Sequence, residues 1–317
     1  MYNEDNKKLF IQEAKWKTAT IPAVENYFNL LEKTERKFDI DLSEMTGEQI
    51  FEAIKKANRE TALDVVTLVN LIKRYCSWCY AEDPNQAPTD QVKFINEFDP
   101  LDYLDELIVF PACLDFENIT SRISEVYSTT DGHLIWPATV LAWIGLSVPE
   151  IINLKNEDII WNKKQVNIGQ EVFQFNRKIY DILKVYASTE TGWREQNRVF
   201  QVSLVDVGYF LKPTVTKNSK KTPSQITSKQ IAAAFTNFNL LYGKKHDNPI
   251  LFSHNYIWRM GAFDRLKQLD METDGGIENA TPKAISAAYR TLAKNRTKKL
   301  ILAEYNIYKK KVAEVVK

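Results

Sequence analysis

Cysteine and histidine are scarce in this chain. Its 317 residues include three cysteines and three histidines. No apolar run approaches the ~20 residues that a membrane helix needs. The amino terminus, MYNEDNKKLF, is too polar for a secretory signal, so a cytoplasmic protein is expected. Three cysteines leave one unpaired, which suits a reducing compartment. Cys76 and Cys79 form a C-x-x-C, but they lie in a helical pattern beside Trp78 and Tyr80, with no second Cys or His pair at zinc spacing. We read them as packing residues and expect no metal and no cofactor. His133 has no evident catalytic partner.

Net charge is also nearly absent, at +1, yet it is unevenly spread. Residues 1–211 carry 22 basic and 33 acidic side chains, net −11, whereas residues 212–317 carry 20 and 8, net +12. A basic third on an acidic chain suits a polyanion, most often nucleic acid. A solvated lysine-rich helical surface explains the same count. Hydrophobic residues at 44% and charged residues at 26% describe an ordinary globular chain, neither disordered nor fibrous.

Periodicity predicts four helices in the first 80 residues. Leu9, Phe10, Ala14 and Trp16 mark one over 4–18, and Val24, Tyr27, Phe28, Leu30 and Leu31 mark a stronger one over 20–37 after Pro22. Ser43 and Thr46 are candidate caps of the third, and Val65, Leu68, Val69 and Ile72 stripe the long fourth, 61–80. AEDPNQAPTDQ, 81–91, breaks the pattern. The expected division is a helical domain over 1–90, a linker over 91–99 and a second domain over 100–317. Helical patterns recur from 100 to 127. KQVNI (164–168) and EVFQF (171–175) flank Gly169-Gln170 as an antiparallel hairpin, Arg177 to Ala187 is helical, and NRVFQVSL (197–204) reads as a third strand. The expected class is mainly α with a small antiparallel sheet.

The most distinctive stretch is IWPATVLAWIGLSVPEIINLKNEDIIW, 135–161. It reads as a buried helix, a tight turn at Gly145, and a second helix opened by Ser147 and Pro149. Gly145, Leu146, Glu150, Ile151, Leu154, Asp158 and Ile159 match the pattern T-G-L-R-x-x-E-L-x-x-L-x-x-x-D-I, and on these residues the chain resembles the tyrosine recombinases, the phage integrase family. Ser147 stands where that family places its first catalytic arginine. A serine hydroxyl cannot hold a phosphate bidentately as a guanidinium does.

The resemblance implies further parts. The first domain would be a SAM-like core-binding clamp, with Lys73 and Arg74 meeting phosphates and Thr67 and Asn70 reaching base edges. A solvated helix exterior explains these residues equally. In the basic third, KPTVTKNSKKTPSQITSKQIAAAF offers Lys217, Lys220 and Lys221 to phosphates, and Ser228, Lys229 and Gln230 at the start of a helix. PILFSHNYIWRMGAFDRLKQL resembles the second family box, H-x-x-R-H: if Arg259 is its arginine, gripping a phosphate, Tyr256 takes the histidine position. His254 would lie five residues from Arg259 rather than three. The family's acid, a lysine on the sheet turn, has no counterpart at Gly169-Gln170. Tyr289, Tyr305 and Tyr308 are candidate nucleophiles, but the G-H that precedes the family's tyrosine is missing.

Joint loss of these groups implies a recombinase fold kept for binding DNA without catalysis, as in the repressors of the lytic cycle in SPβ-like temperate phages. That resemblance implies a sequence-specific transcription repressor that occupies operator elements in prophage double-stranded DNA and maintains lysogeny. Its partners would be that DNA, in the nucleoid of a bacterial host, and a phage-encoded regulatory protein. An active integrase that draws its arginine from elsewhere in space, and a DNA-independent interaction protein, remain as alternatives.

Overall fold

The computed structural model describes residues 1–81, 86–108, 114–195, 199–215, 224–246, 251–290 and 297–315. These are mainly helical, with two three-stranded antiparallel sheets. No helix among them is long and apolar enough to cross a membrane. The chain forms two compact units, one of Met1–Pro111 with Ala293–Lys317 and the other of Ala112–Leu292.

In the first unit, the four predicted helices are α1 (Glu4–Glu13), α2 (Ile21–Phe38), α3 (Gly47–Lys56) and α4 (Ala62–Cys79). Thr46 caps α3 in a reciprocal box with Gln49, and Thr61 caps α4. Ser43 caps nothing. Asp41, rather than Ser43, accepts from the backbone at the short 3-10 turn Leu42–Glu44. Phe10, Phe28 and Tyr75 meet edge to face in the core, at centroid separations of 5.3 to 6.1 Å. Beside them Lys7, with no exposed surface, is held between Glu35 and Asp41, and Asp41 also accepts from the Tyr75 hydroxyl. A buried ammonium survives only with such partners. Cys76 is buried and both it and Cys79 are free thiols, pushed by burial toward the protonated form.

The expected linker at 91–99 is instead mostly helix α5 (Thr89–Glu97). Gln91 is fully buried and donates to the carbonyls of Leu42, Ser43 and Met45, while Asp90 accepts from Gly47 N. These side-chain bonds to distant backbone, with Phe94, Ile95 and Phe98 packed against the core, fix the segment in the first unit. A 3-10 turn (Pro100–Tyr103) and the short α6 (Leu104–Leu107) follow.

The second unit is built round α8. Its elements are α7 (Phe116–Ser124), α8 (Ile135–Trp143), α9 (Val148–Asn153), β1 (Ile159–Ile160), β2 (Gln165–Ile168), β3 (Glu171–Gln174), α10 (Arg177–Ser188), β4 (Thr191–Glu195), β5 (Val199–Leu204), β6 (Thr214–Val215), α11 (Ser228–Gly243), α12 (His254–Glu272) and α13 (Pro282–Tyr289). All nine residues of α8 are buried, and it packs on α10, α11 and α12. A helix apolar on every face must be enclosed. α12 comes so close that a Cβ on Gly261 would sit 2.0 Å from the Trp143 carbonyl oxygen. β2 and β3 pair across the Gly169-Gln170 turn as expected, Ile168 opposite Glu171. The strand expected at 197–204 belongs to a second sheet, with β4 and β6 on either side.

The last helix, α14 (Lys298–Val315), returns to the first unit and packs on α4 and α6. The second unit is thus inserted in the chain between α6 and α14. The basic third of the sequence is divided between the two.

Candidate nucleic-acid interface

The resembling box folds as a turn between α8 and α9. Gly145 has φ of 108°, a backbone region that disfavours a side chain, and Leu146 N closes the turn on the Leu141 carbonyl at 3.0 Å. Ser147 is the N-cap of α9. Its amide and its hydroxyl both donate to Glu150 Oε2, at 2.7 and 2.6 Å. Ser147 therefore completes a helix start and points no charge outward.

A guanidinium does reach this turn, from Arg290. This residue ends α13 in a left-handed conformation and is 8% exposed. It donates to the Gly145 carbonyl, to Glu150 Oε2 at 2.9 Å and Oε1 at 2.7 Å, and to Glu171 Oε2 at 2.5 Å, with Phe173 4.0 Å beneath its plane. Burial works against both charges, but the hydrogen bonds and opposite charges outweigh it. The Glu150 carboxyl is held below its usual range and Arg290 is held more firmly protonated. Beside Glu150 lies a shallow cleft of about 260 Å³ lined by Asn153, Asp158, Asn167 and Gly169.

A second arginine, Arg265 of α12, backs the same turn, donating to the carbonyls of Ala288 and Trp143. Burial first, and then the charge of Arg290, lowers its pKa to about 10. Trp258 Nε1 donates to the Gly145 carbonyl at 3.0 Å, and His254 Nε2 lies 2.8 Å from the Leu146 carbonyl. The second box is thus pinned to the first through backbone oxygens.

The residues nominated from sequence are placed as follows. Arg259 is 5% exposed and lies over Phe263 inside the α12 packing face, so this structure presents it to no surface. Tyr256 is buried too, stacked on Phe252. Tyr289 is buried between Trp258 and Phe263, whereas Tyr305 and Tyr308 lie on α14 in the first unit. Thr67, Asn70 and Arg74 are exposed along one face of α4, at the i, i+3, i+7 spacing that aligns them. Lys73 is off that face, half-buried and donating to the Phe98 carbonyl at 2.8 Å. Arg74 lies 4.3 Å over Trp16. Ser228, Lys229 and Gln230 are exposed at the start of α11, with the Gln230 carbonyl oxygen turned back to cap Thr227. Lys217, Lys220 and Lys221 lie outside the described residues.

Sequence reasoning missed Arg290, Arg265 and Glu171. The unmet demand of Glu150 was the one available signal, because a half-buried carboxylate in a turn calls for a cation.

Among solved structures the chain is similar to recombinases and integrases. These include a Tn1549 transposon integrase in complex with a circular intermediate DNA (15% identity, 98% of each chain, TM-score 0.49), the XerA recombinase (13%, 99% of this chain and 97% of that one, 0.40) and the integrase from mycobacterium phage Brujita (13%, 95% and 96%, 0.34). Residues 1–81 match a family model, the N-terminal core-binding domain of MrpR. No curated protein matches the sequence.

Proposed function

We propose that this chain is a sequence-specific double-stranded-DNA-binding protein, a repressor of phage lytic genes that keeps a recombinase architecture without recombinase chemistry. The observation that carries it is the turn at Ser147. Where a catalytic arginine would hold a phosphate, a serine caps α9 on Glu150, and Glu150 is shared with Arg290. The core-binding-domain match over 1–81 and the exposed Thr67, Asn70 and Arg74 face of α4 support duplex binding by the first unit.

The test has two halves. Mobility shifts on phage operator fragments and on random duplex, over a salt series, should show tighter binding to the operator and a negative slope of log affinity against log salt. Denaturing gels of the same mixtures, including a nicked suicide substrate, should show no covalent protein-DNA adduct.

One observation favours a second reading. Arg290 brings a guanidinium to the Gly145 turn from another part of the chain, as an integrase with a relocated arginine would require. An adduct on the suicide substrate would establish that reading and remove the first.

A further inference from the structure

Arg290 holds two carboxylates of very different standing. Glu150 has a side chain 20% exposed and takes four hydrogen bonds, two from Ser147 and two from Arg290, so it belongs to the folded turn. Glu171 has a side chain 62% exposed, and Arg290 is its one partner among the described residues. It stands at the start of β3 beside the Gly169 turn, where an added Cβ would meet nothing within 4 Å. Removing Glu171 would bare the Arg290 Nη2 edge on the side away from Glu150, while Glu150 and Phe173 kept the guanidinium in place.

With Glu171 in place, the two carboxylates Glu150 and Glu171 offset Arg290 and the Arg265 that backs the turn, so the turn carries no net positive charge. A phosphodiester approaching it gains no net attraction and finds the outward N–H of Arg290 Nη2 already taken by Glu171, the Nη1–Nη2 fork being held by Glu150. Leaving costs Glu171 little, because an exposed carboxylate regains its hydration. An incoming duplex supplies an equivalent anionic oxygen and gains counterion release besides.

We propose that Glu171 is an internal stand-in for a DNA phosphate on Arg290, an autoinhibitory contact that must open before nucleic acid can engage the Gly145 turn. The proposal rests on the DNA-binding reading above. It assigns Arg290, which no motif marks, as a phosphate-binding residue and Glu171 as its competitor.

The experiment is a mobility-shift titration of the full chain on a short random-sequence duplex, since a phosphate contact needs no particular bases. Glu171→Gln keeps the size of the side chain and removes its charge; it should bind about two- to fivefold tighter at low salt, the gain shrinking as salt rises. Glu157→Gln is the control, because Glu157 is as exposed in the same unit but pairs with Lys155 and not with Arg290. It should change affinity less. Arg290→Lys, which keeps the charge and loses the fork, should weaken binding and abolish the gain from Glu171→Gln. An unchanged affinity for Glu171→Gln, or an equal gain from Glu157→Gln, overturns the stand-in and leaves the DNA-binding reading intact. Wild-type protein that shifts neither this duplex nor phage operator fragments at low salt overturns both.

Discussion

Glu304 of α14, 1% exposed, accepts a hydrogen bond from the backbone N–H of Ala62 at 2.8 Å, in the first turn of α4. The two residues are 242 positions apart, so the last helix of the chain helps to finish the helix that carries Thr67, Asn70 and Arg74. A carboxylate suits a helix start, where amide hydrogens lack partners and the dipole is positive. Glu304→Ala should therefore destabilise the first unit by about 1–3 kcal/mol, whereas Glu304→Gln, which keeps an acceptor oxygen, should cost less. Urea unfolding followed in the first unit reads this out. Equal losses from the two variants would show that the bond contributes nothing.

Gly261 and Gly145 of the second unit should both resist replacement, for different reasons. At Gly261 a methyl would strike the Trp143 carbonyl oxygen, which belongs to backbone and cannot swing aside. Gly261→Ala should cost about 3 kcal/mol or more, at the upper end of overpacking. At Gly145 the obstacle is φ of 108°, and Gly145→Ala should cost about 1–3 kcal/mol. Gly169→Ala serves as a comparison, since it has open space and the milder φ of 58°. If all three lower the thermal midpoint equally, the packing argument at Gly261 fails.

The α4 face makes a prediction about DNA. Thr67→Ala and Asn70→Ala should weaken operator binding more than random binding, as a base-edge contact is worth about 1–3 kcal/mol of discrimination. Arg74→Ala, and replacement of Lys217, Lys220 and Lys221 together, should weaken both alike, with a flatter salt slope. Mobility shifts on both duplexes measure this. A uniform loss from Asn70→Ala would take base reading away from α4.

What was legible in the sequence was local. The four N-terminal helices and the β2-β3 hairpin are set by apolar stripes and by a turn glycine, all within a few residues, and the chain adopts them. So is the Ser147 start of α9, because Ser147 and Glu150 are three residues apart. The rest depends on distant partners. Arg290 lies 140 residues from Glu150, and no spacing rule connects them. The stretch 91–99 read as a linker because it follows the proline-containing break AEDPNQAPTDQ, and the use of Gln91, three bonds to carbonyls 46 to 49 residues away, leaves no trace in periodicity. Lys73 and Arg259 looked available because a cation in sequence looks solvated, whereas one is spent on Phe98 and the other is enclosed.

Acid should loosen the second unit through its histidines. Burial lowers the pKa of both His254 and His133 below the ordinary 6.5. The unfolded chain therefore binds protons before the folded one does. Stability from this source is fully present above about pH 6.5 and is lost as pH falls through the lower folded values. His254→Gln keeps a donor for the Leu146 carbonyl without a titrating ring, so its thermal midpoint should fall less than wild type between pH 7.5 and 5.5. Parallel curves would mean that His254 titrates alike in both states.

Ser147→Arg tests whether one missing group stands between this chain and catalysis. The substitution would place a guanidinium at the position the resembling motif gives to arginine, but it would also remove the hydroxyl that donates to Glu150 at 2.6 Å and put a further cation beside Arg290 and Arg265. Acid, base and nucleophile act as a unit, so one repair recovers little. The sheet turn still offers Gly169 and Gln170 in place of a lysine, and Tyr256 stays buried at the histidine position. We therefore expect Ser147→Arg to lose stability and to form no covalent adduct on labelled operator in denaturing gels. Tyr305→Phe and Tyr308→Phe, in the unmodified background, should leave binding intact and remove no cleavage. An adduct from wild type that either tyrosine change abolishes would overturn the non-catalytic reading, because a phenol attacking phosphorus is the one step a binding protein has no use for.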